Sequence, residues 1–314
     1  MIILNDYKII DGHSHIGIDE YWKNEGILDE YIKNLRKLGI DETFLMSVPC
    51  PVIKKSDGTN IILSSNELIN NEIKHFRIIE KDGKRNYLLV RKNQNPYKEA
   101  NEIIYNACKG TGDIKINYVP IIHPYYYSIE DLVEQKKKGA KMFKIHGIAA
   151  GVIPEKIGTD FFEAIEKLEV PLIIHTDYSE KDDFFSSNNA MHWLKVLEPY
   201  NIKVYFAHAA RLIDDAIDII NNDNRYLVGL GPTMLLSTEE YKTQNVANYI
   251  DYCFDHFDIN KVVFDIDYPW NIISKNNFSL DWSSLDLIRN KTKEQDKVLS
   301  KNLINFLGGK YEKN

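Results

Sequence analysis

The chain has 314 residues, 44% hydrophobic and 27% charged, a globular balance that excludes a disordered or fibrous protein. Its net charge of −7, with no long basic run, argues against nucleic acid or an anionic membrane surface as partner. Cys50, Cys108 and Cys253 form no CxxC pair, which argues against a disulfide framework or a cysteine metal site and fits a reducing cytoplasm.

No run approaches the ~18 apolar residues of a membrane span. The opening "MIILNDYKII" lacks the basic and apolar regions of a signal peptide.

The first element is "KIIDGHSH" (8–15), a branched apolar run that ends in polar residues and reads as a strand. "EGILDEYIKNLRKLG" follows as a helix, with Leu28, Tyr31, Leu35 and Leu38 on one stripe and Gly39 as its stop. "ETFLMSV" (42–48) is the second strand. Residues 49–114 make a long excursion, read as an insertion and a lid over the site. Within it "FRIIEKDGKRNYLLVRK" predicts a hairpin around Asp82-Gly83, and "NPYKEANEIIYNACKG" a helix.

"KINYVPIIH" (115–123), "AKMFKIH" (140–146), "VPLIIHT" (170–176), "IKVYFAH" (202–208), "RYLVGLG" (225–231) and "KVVFDID" (261–267) complete eight candidate strands. The gaps carry helical patterns. "SIEDLVEQKKKG" opens on a Ser128/Asp131 cap, and "TDFFEAIEKLEV", "NAMHWLKVLEPY" and "RLIDDAIDIINN" follow. "STEEYKTQNVANYIDYCFDHF" carries a Ser237/Glu240 capping box, and "TKEQDKVLSKNLINFLGG" is a closing helix. Strand then helix, eight times, at spacings of about 25–35 residues, predicts a single α/β domain over 1–314: a (β/α)8 TIM barrel interrupted between strands two and three.

In such a barrel the chemistry stands at the C-terminal strand ends. His13 and His15 share a face because side chains alternate along a strand, and Asp11 lies one layer deeper. Strand four ends in Lys144 and His146, strand five in His175, strand six in His208, and strand eight in Asp265 and Asp267. Imidazole and carboxylate are the donors that zinc, iron or manganese accept. One strand histidine is more often a hydrogen-bonded core residue than a ligand; the convergent set is harder to explain that way, since it would bury several polar groups without partners. The expectation is therefore a metal held by His13, His15, His175 and Asp267. His123 reads as structural, His75, His192 and His256 as surface or packing residues, and Asp265 as a buried, paired carboxylate. The "HPYYYS" stretch suggests that Tyr125–Tyr127 form an aromatic wall.

"DGHSH", "FKIHG", "PLIIHT", "FAHAAR" and "FDIDYPW", in order along nearly the whole chain, resemble the amidohydrolase superfamily and its amidohydrolase 2 (amidohydrolase-related) branch. "VLSKNLINFLG" looks like that branch's terminal helix. The resemblance implies a cytoplasmic metal-dependent hydrolase that uses a metal-activated water on an amide, lactone or ester bond of a small, carboxylate-bearing substrate. It implies one divalent transition metal, zinc, on the four ligands above. Asp267 would move the proton and His208 would stabilise the oxyanion or assist the transfer. Lys144, His146, Tyr178 and Arg211 would orient substrate.

The resemblance also leaves alternatives. Lys144 sits where two-metal members carry a carboxylated lysine that bridges a second ion. Some members of the branch remove CO₂ without an oxidant from aromatic or unsaturated acids. A phosphoester hydrolase or nuclease, or a barrel that keeps its histidines without catalysis, are further readings. A homodimer is the base-rate assembly. Two departures stand out. Asp265 replaces a usual glycine, and Ala209, Ala210 and Arg211 follow the strand-six histidine where glycines are frequent. Arg211 is either a substrate-carboxylate clamp or a surface ion pair with Asp214 or Asp215.

Overall fold

The computed structural model describes residues 7–20, 24–69, 72–80, 82–87, 93–110, 112–176, 188–231, 246–270 and 284–309, with backbone alone for 64–69, 72–78, 87, 246 and 284. All eight expected strands form: β1 (Ile10–Ile18), β3 (Glu42–Ser47), β8 (Lys115–Tyr118), β9 (Phe143–His146), β10 (Leu172–His175), β11 (Val204–Phe206), β12 (Tyr226–Gly229) and β13 (Val262–Val263). A two-residue strand, β2 (Glu25–Gly26), pairs antiparallel with the end of β1. The barrel strands are short and buried on both sides, which is why they read as continuous apolar runs.

The ladders run in two parallel arcs, β1-β3-β8 and β9-β10-β11-β12-β13. Backbone hydrogen bonds join the arcs at both seams. Between β8 and β9, Ile122 N–H donates to Lys144 O at 2.9 Å and Lys144 N–H to Pro120 O at 2.9 Å. Between β13 and β1, Gly12 N–H donates to Phe264 O at 3.0 Å, Asp267 N–H to His13 O at 2.8 Å, and His15 N–H to Tyr268 O at 2.7 Å.

Two cores result. One fills the ring with Ile10, Phe44, Met46, Val119, Ile121, Ile173 and Leu227, and is floored by Leu303 and Phe306 from the closing helix. The other lies between the strands and the outer helices. Those helices follow the sequence pattern: Leu28–Leu38 buries Tyr31, Ile32 and Leu35 and ends on Gly39 at φ 68°, and Ile129–Lys137 is capped by Ser128 accepting from Asp131 N–H at 3.0 Å.

The excursion is divided differently from the expectation. The Asp82-Gly83 turn does join two paired strands, β6 (Glu72–Ile79) and β7 (Arg85–Tyr87). They belong to an antiparallel four-stranded sheet with β4 (Val52–Lys54) and β5 (Asn60–Ile69). The helix Lys98–Ala107, however, is the barrel's own second crossover: Asn101 Nδ2 donates to Ile121 O and Asn101 Oδ1 accepts from Ile121 N–H, both at 2.8 Å. Only the stretch before it is extra to the barrel, and β5 runs beside the short helix Gly147–Ala150 that follows β9, on the rim of the mouth. The part of the expected helix that carries Ser237 and Glu240 lies outside the described residues; its remainder is the helix Val246–His256.

Asp11 braces the closing seam. Its Oδ1 accepts from Ile266 N–H at 2.8 Å, and its Oδ2 accepts from Thr43 Oγ1 at 2.9 Å and from the Tyr31 hydroxyl. The carboxylate thus ties the first strand to the second, to the eighth and to the first helix. Asp11→Ala strands several buried donors, each worth about 1–3 kcal/mol. It is expected to lower stability by more than about 3 kcal/mol in urea unfolding.

Candidate metal centre

The seam between β1 and the eighth strand sets the site. His15 Nδ1 donates to Ser47 O at 2.6 Å, and this leaves the Nε2 lone pair pointing inward. His15 Nε2 lies 2.9 Å from His13 Nε2 and 3.3 Å from Asp267 Oδ1. His13, His15 and Asp267 each offer an atom within 4.8 Å of the others, and all three are buried. Two imidazoles and a carboxylate in this arrangement fit a divalent transition ion. His13 Nδ1, buried and without a hydrogen-bond partner among the described residues, lies 3.7 Å from Asp267 Oδ1.

The other expected residues stand around this trio. Lys144 Nζ, fully buried, is 2.9 Å from His13 Nε2. His208 Nδ1 is 3.9 Å from Asp267 Oδ2, and its Nε2 is 3.0 Å from His175 Nδ1. His175 is therefore at the site's edge, outside the three-residue donor group and facing His208. His146 stacks on His175 at 3.8 Å between centroids, and its Nδ1 accepts from Ala149 N–H at 3.2 Å. Tyr178 lies outside the described residues. Asp265 is buried and paired, its Oδ2 accepting from Tyr205 Oη at 2.5 Å.

Three expectations need correction. The surface alternative for Arg211 fails: its side chain is buried, and its Nε donates to Thr176 O at 3.1 Å, so it points inward and not along the helix to Asp214. The helix expected to start at Arg211 begins at Asp214. Residues His208 to Leu212 all have φ between 47° and 59°, a left-handed turn in the segment where glycine is frequent in the resembled family. Finally, Tyr125 and Tyr127 do not wall the mouth. The Tyr125 hydroxyl bonds both polar groups of the Ile153 backbone, and Tyr127 Oη donates to Asp160 Oδ2 at 2.8 Å, so both brace their loop against the next crossover. His123 accepts from Tyr125 N–H and is structural, as expected, and His192 pairs with Glu155 on the outside.

The pocket disfavours charge throughout. Burial first and the Lys144 ammonium second push His15 down to about 3 and hold His13 and His175 well below the usual imidazole range. The imidazoles stay neutral, as ligation requires. Burial pushes Lys144 down to about 7, and raises Asp267 well above the carboxylate range against the pull of Lys144 and Arg211. A divalent ion among these groups would reverse the Asp267 preference, because it would be the largest local charge.

At the level of sequence, no family profile and no curated protein matches the chain. Solved structures do. The probable 2-pyrone-4,6-dicarboxylic acid hydrolase of Acinetobacter baumannii, with citric acid bound, superposes at TM-score 0.60 with 13% identity, over 96% of this chain and 99% of that one. Amidohydrolase 2 of Bifidobacterium longum subsp. infantis gives 0.57 with 11% identity, over 97% and 100%. Dihydroorotase of Campylobacter jejuni gives 0.55 with 14% identity, over 99% and 88%. The chain shares the α/β-barrel fold of these structures. Among the described residues, no helix is long and apolar enough to cross a membrane.

The left-handed turn makes a stability prediction of unusual sign. A buried helical Ala→Gly change costs about 1 kcal/mol. At Ala210 (φ 51°, ψ 23°) glycine relieves a left-handed penalty of about 1–2 kcal/mol. Ala210→Gly is expected to keep or raise the thermal midpoint, as read by circular dichroism.

Proposed function

We propose that the protein is a metal-dependent hydrolase that cleaves an amide, lactone or ester bond of a small organic substrate bearing a carboxylate. The observation that carries this reading is the buried His13, His15 and Asp267 donor group at the mouth of an amidohydrolase barrel. Zinc suits the donors, with His175 completing the set beside His208. When bound, the ion acidifies a water and polarises the scissile carbonyl.

The chain's own residues do the rest. Asp267, at the edge of the imidazole pair, accepts a proton from the attacking water and returns it to the leaving amine or alcohol, so one water is added across the broken bond. His208, within 3.9 Å of Asp267, donates to the oxygen that gains charge. Lys144 and Arg211 are buried cations beside the donor group, and a substrate carboxylate would offset their charge. His146 and Tyr178 are the remaining orienting candidates, and the sheet of β4 to β7 on the rim acts as the lid.

The inward Arg211 also favours a second reading, non-oxidative decarboxylation of an aromatic or unsaturated acid. There the arginine holds the carboxylate beside the ion. In a two-ion variant of either scheme, a carboxylated Lys144 would help to hold the second ion.

Elemental analysis of purified protein is expected to find about one equivalent of transition metal, lost in His13→Ala. Asp267→Asn is expected to lower kcat by at least about 100-fold with the fold retained. Assays on lactones, amides and aromatic acids with CO₂ detection separate the two reactions: release of CO₂ in place of water uptake would overturn hydrolysis, and a metal-free parent would overturn both.

A further inference from the structure

The extra carboxylate of the eighth strand has no part in the reaction just described, yet the chain is built around it. Asp265 is buried between Tyr205, on β11, and His13, on β1. Its Oδ2 accepts from Tyr205 Oη at 2.5 Å and stands 3.8 Å from His13 Nδ1. Neither Asp265 Oδ1 nor His13 Nδ1 has a hydrogen-bond partner among the described residues. One is an acceptor, the other a ring nitrogen able to donate.

The surrounding strands leave room for this pair. A Cβ at Gly229 would lie 2.2 Å from both Asp265 Oδ2 and Tyr205 Oη, and one at Gly231 would lie 3.0 Å from Asp265 Oδ1. A Cβ at Gly12 would lie 3.0 Å from Tyr205 Oη. Two strands, β1 and β12 with its C-terminal end, therefore give up side chains at three glycines where the Tyr205–Asp265 pair sits. A buried carboxylate costs several kcal/mol unless it is paired, and beside the Tyr205 hydroxyl Asp265 interacts with the Gly231 backbone N–H and faces His13.

We propose that Asp265 is a positioning residue for His13, held in place by Tyr205. It accepts the His13 Nδ1 proton, fixes the Nδ1–H tautomer, and so aims the Nε2 lone pair at the ion. This is the carboxylate–histidine–metal arrangement, in which the outer partner sets ring orientation and raises ligand basicity. On the other ligand the same task falls to the Ser47 carbonyl, which holds His15 through its Nδ1. The two ligands of β1 are thus oriented by different chemistry, a neutral carbonyl for His15 and a carboxylate for His13.

The proposal rests on the metal centre above, and its test separates the two. Zinc affinity is measured by chelator competition on the parent, Asp265→Asn and Tyr205→Phe. The His13 tautomer is read by 15N NMR of the imidazoles in metal-free protein. The expected results are zinc binding weakened about 10- to 100-fold in Asp265→Asn and less in Tyr205→Phe, with unchanged stoichiometry. His13 is expected as Nδ1–H in the parent and not in Asp265→Asn.

Equal zinc affinity in parent and Asp265→Asn would overturn the positioning role while leaving the metal centre standing. So would the same tautomer in both. A fall in the number of ions bound would make Asp265 a ligand and overturn it too. A parent that binds no zinc would remove the metal centre, and the tautomer comparison would still decide whether Asp265 orients His13. Should Asp265→Asn fail to fold, Tyr205→Phe carries the same two measurements: weakened zinc binding with His13 no longer held as Nδ1–H supports the proposal, and parental values of both overturn it.

Discussion

The closing of the ring between the first and eighth strands is the constraint on which the site depends. Three backbone hydrogen bonds and the Asp11 carboxylate hold this seam. Two of the bonds are made by the peptides of His13 and His15 themselves, to Asp267 N–H and Tyr268 O. The donor atoms are close because their backbones are paired. A barrel that stayed open here would scatter two imidazoles and two carboxylates that are 254 or fewer positions apart in sequence and neighbours only through this contact. Asp11 fixes the register on which the geometry of the site rests.

Within that frame the site is an electrostatic compromise. Its imidazoles are held neutral by burial first and then by the nearby Lys144, joined at His175 by Arg211. Its carboxylates are pushed up by the same burial. A pocket in which nearly every group is held away from its preferred charge is suited to one strongly charged guest, and a divalent cation satisfies imidazoles and carboxylates together. Lys144 and Arg211 are cations buried near the same groups.

Most of the frame was legible in the sequence. The eight apolar runs ended in polar residues, and those residues converge because parallel strands start and stop together. Alternation put His13 and His15 on one face, and the seam does pair them. What escaped sequence reading had no periodic signature. Arg211 looked like the first residue of an amphipathic helix with acidic neighbours one turn on, and only the left-handed path of residues 208–212 turns it inward. No glycine marks that path, so the usual signal for positive φ is missing. Tyr125 and Tyr127 sit after a strand end, where side chains line the mouth, but their hydroxyls are spent on the neighbouring loop and helix. The helix of 98–107 was hidden in the excursion because its apolar face looks the same whether it caps an insertion or a barrel strand. The orienting role of the Ser47 carbonyl is backbone chemistry, which no side-chain pattern can report.

Five consecutive residues with side chains, His208 to Leu212, hold φ above 45°. At about 1–2 kcal/mol each, the penalty is comparable to a small domain's whole stability. The chain offsets it locally. Ala209 and Ala210 are fully buried and small enough to approach neighbouring strands closely, and Leu212 anchors the exit in the outer core. Arg211 adds a hydrogen bond to the Thr176 carbonyl, and Thr176 Oγ1 donates in turn to Ala207 O at 3.0 Å, stitching the turn to the end of the fifth strand. Strain of this size persists only where surrounding structure over-determines it, and here the over-determined segment delivers His208 and Arg211 to the same mouth. A right-handed turn at these positions would carry Arg211 around to the helix face and remove the buried cation that lies beside Asp267. The backbone strain and the buried guanidinium are therefore one feature: the left-handed path that places His208 also turns Arg211 inward, and buried alanines accommodate it where glycine is absent.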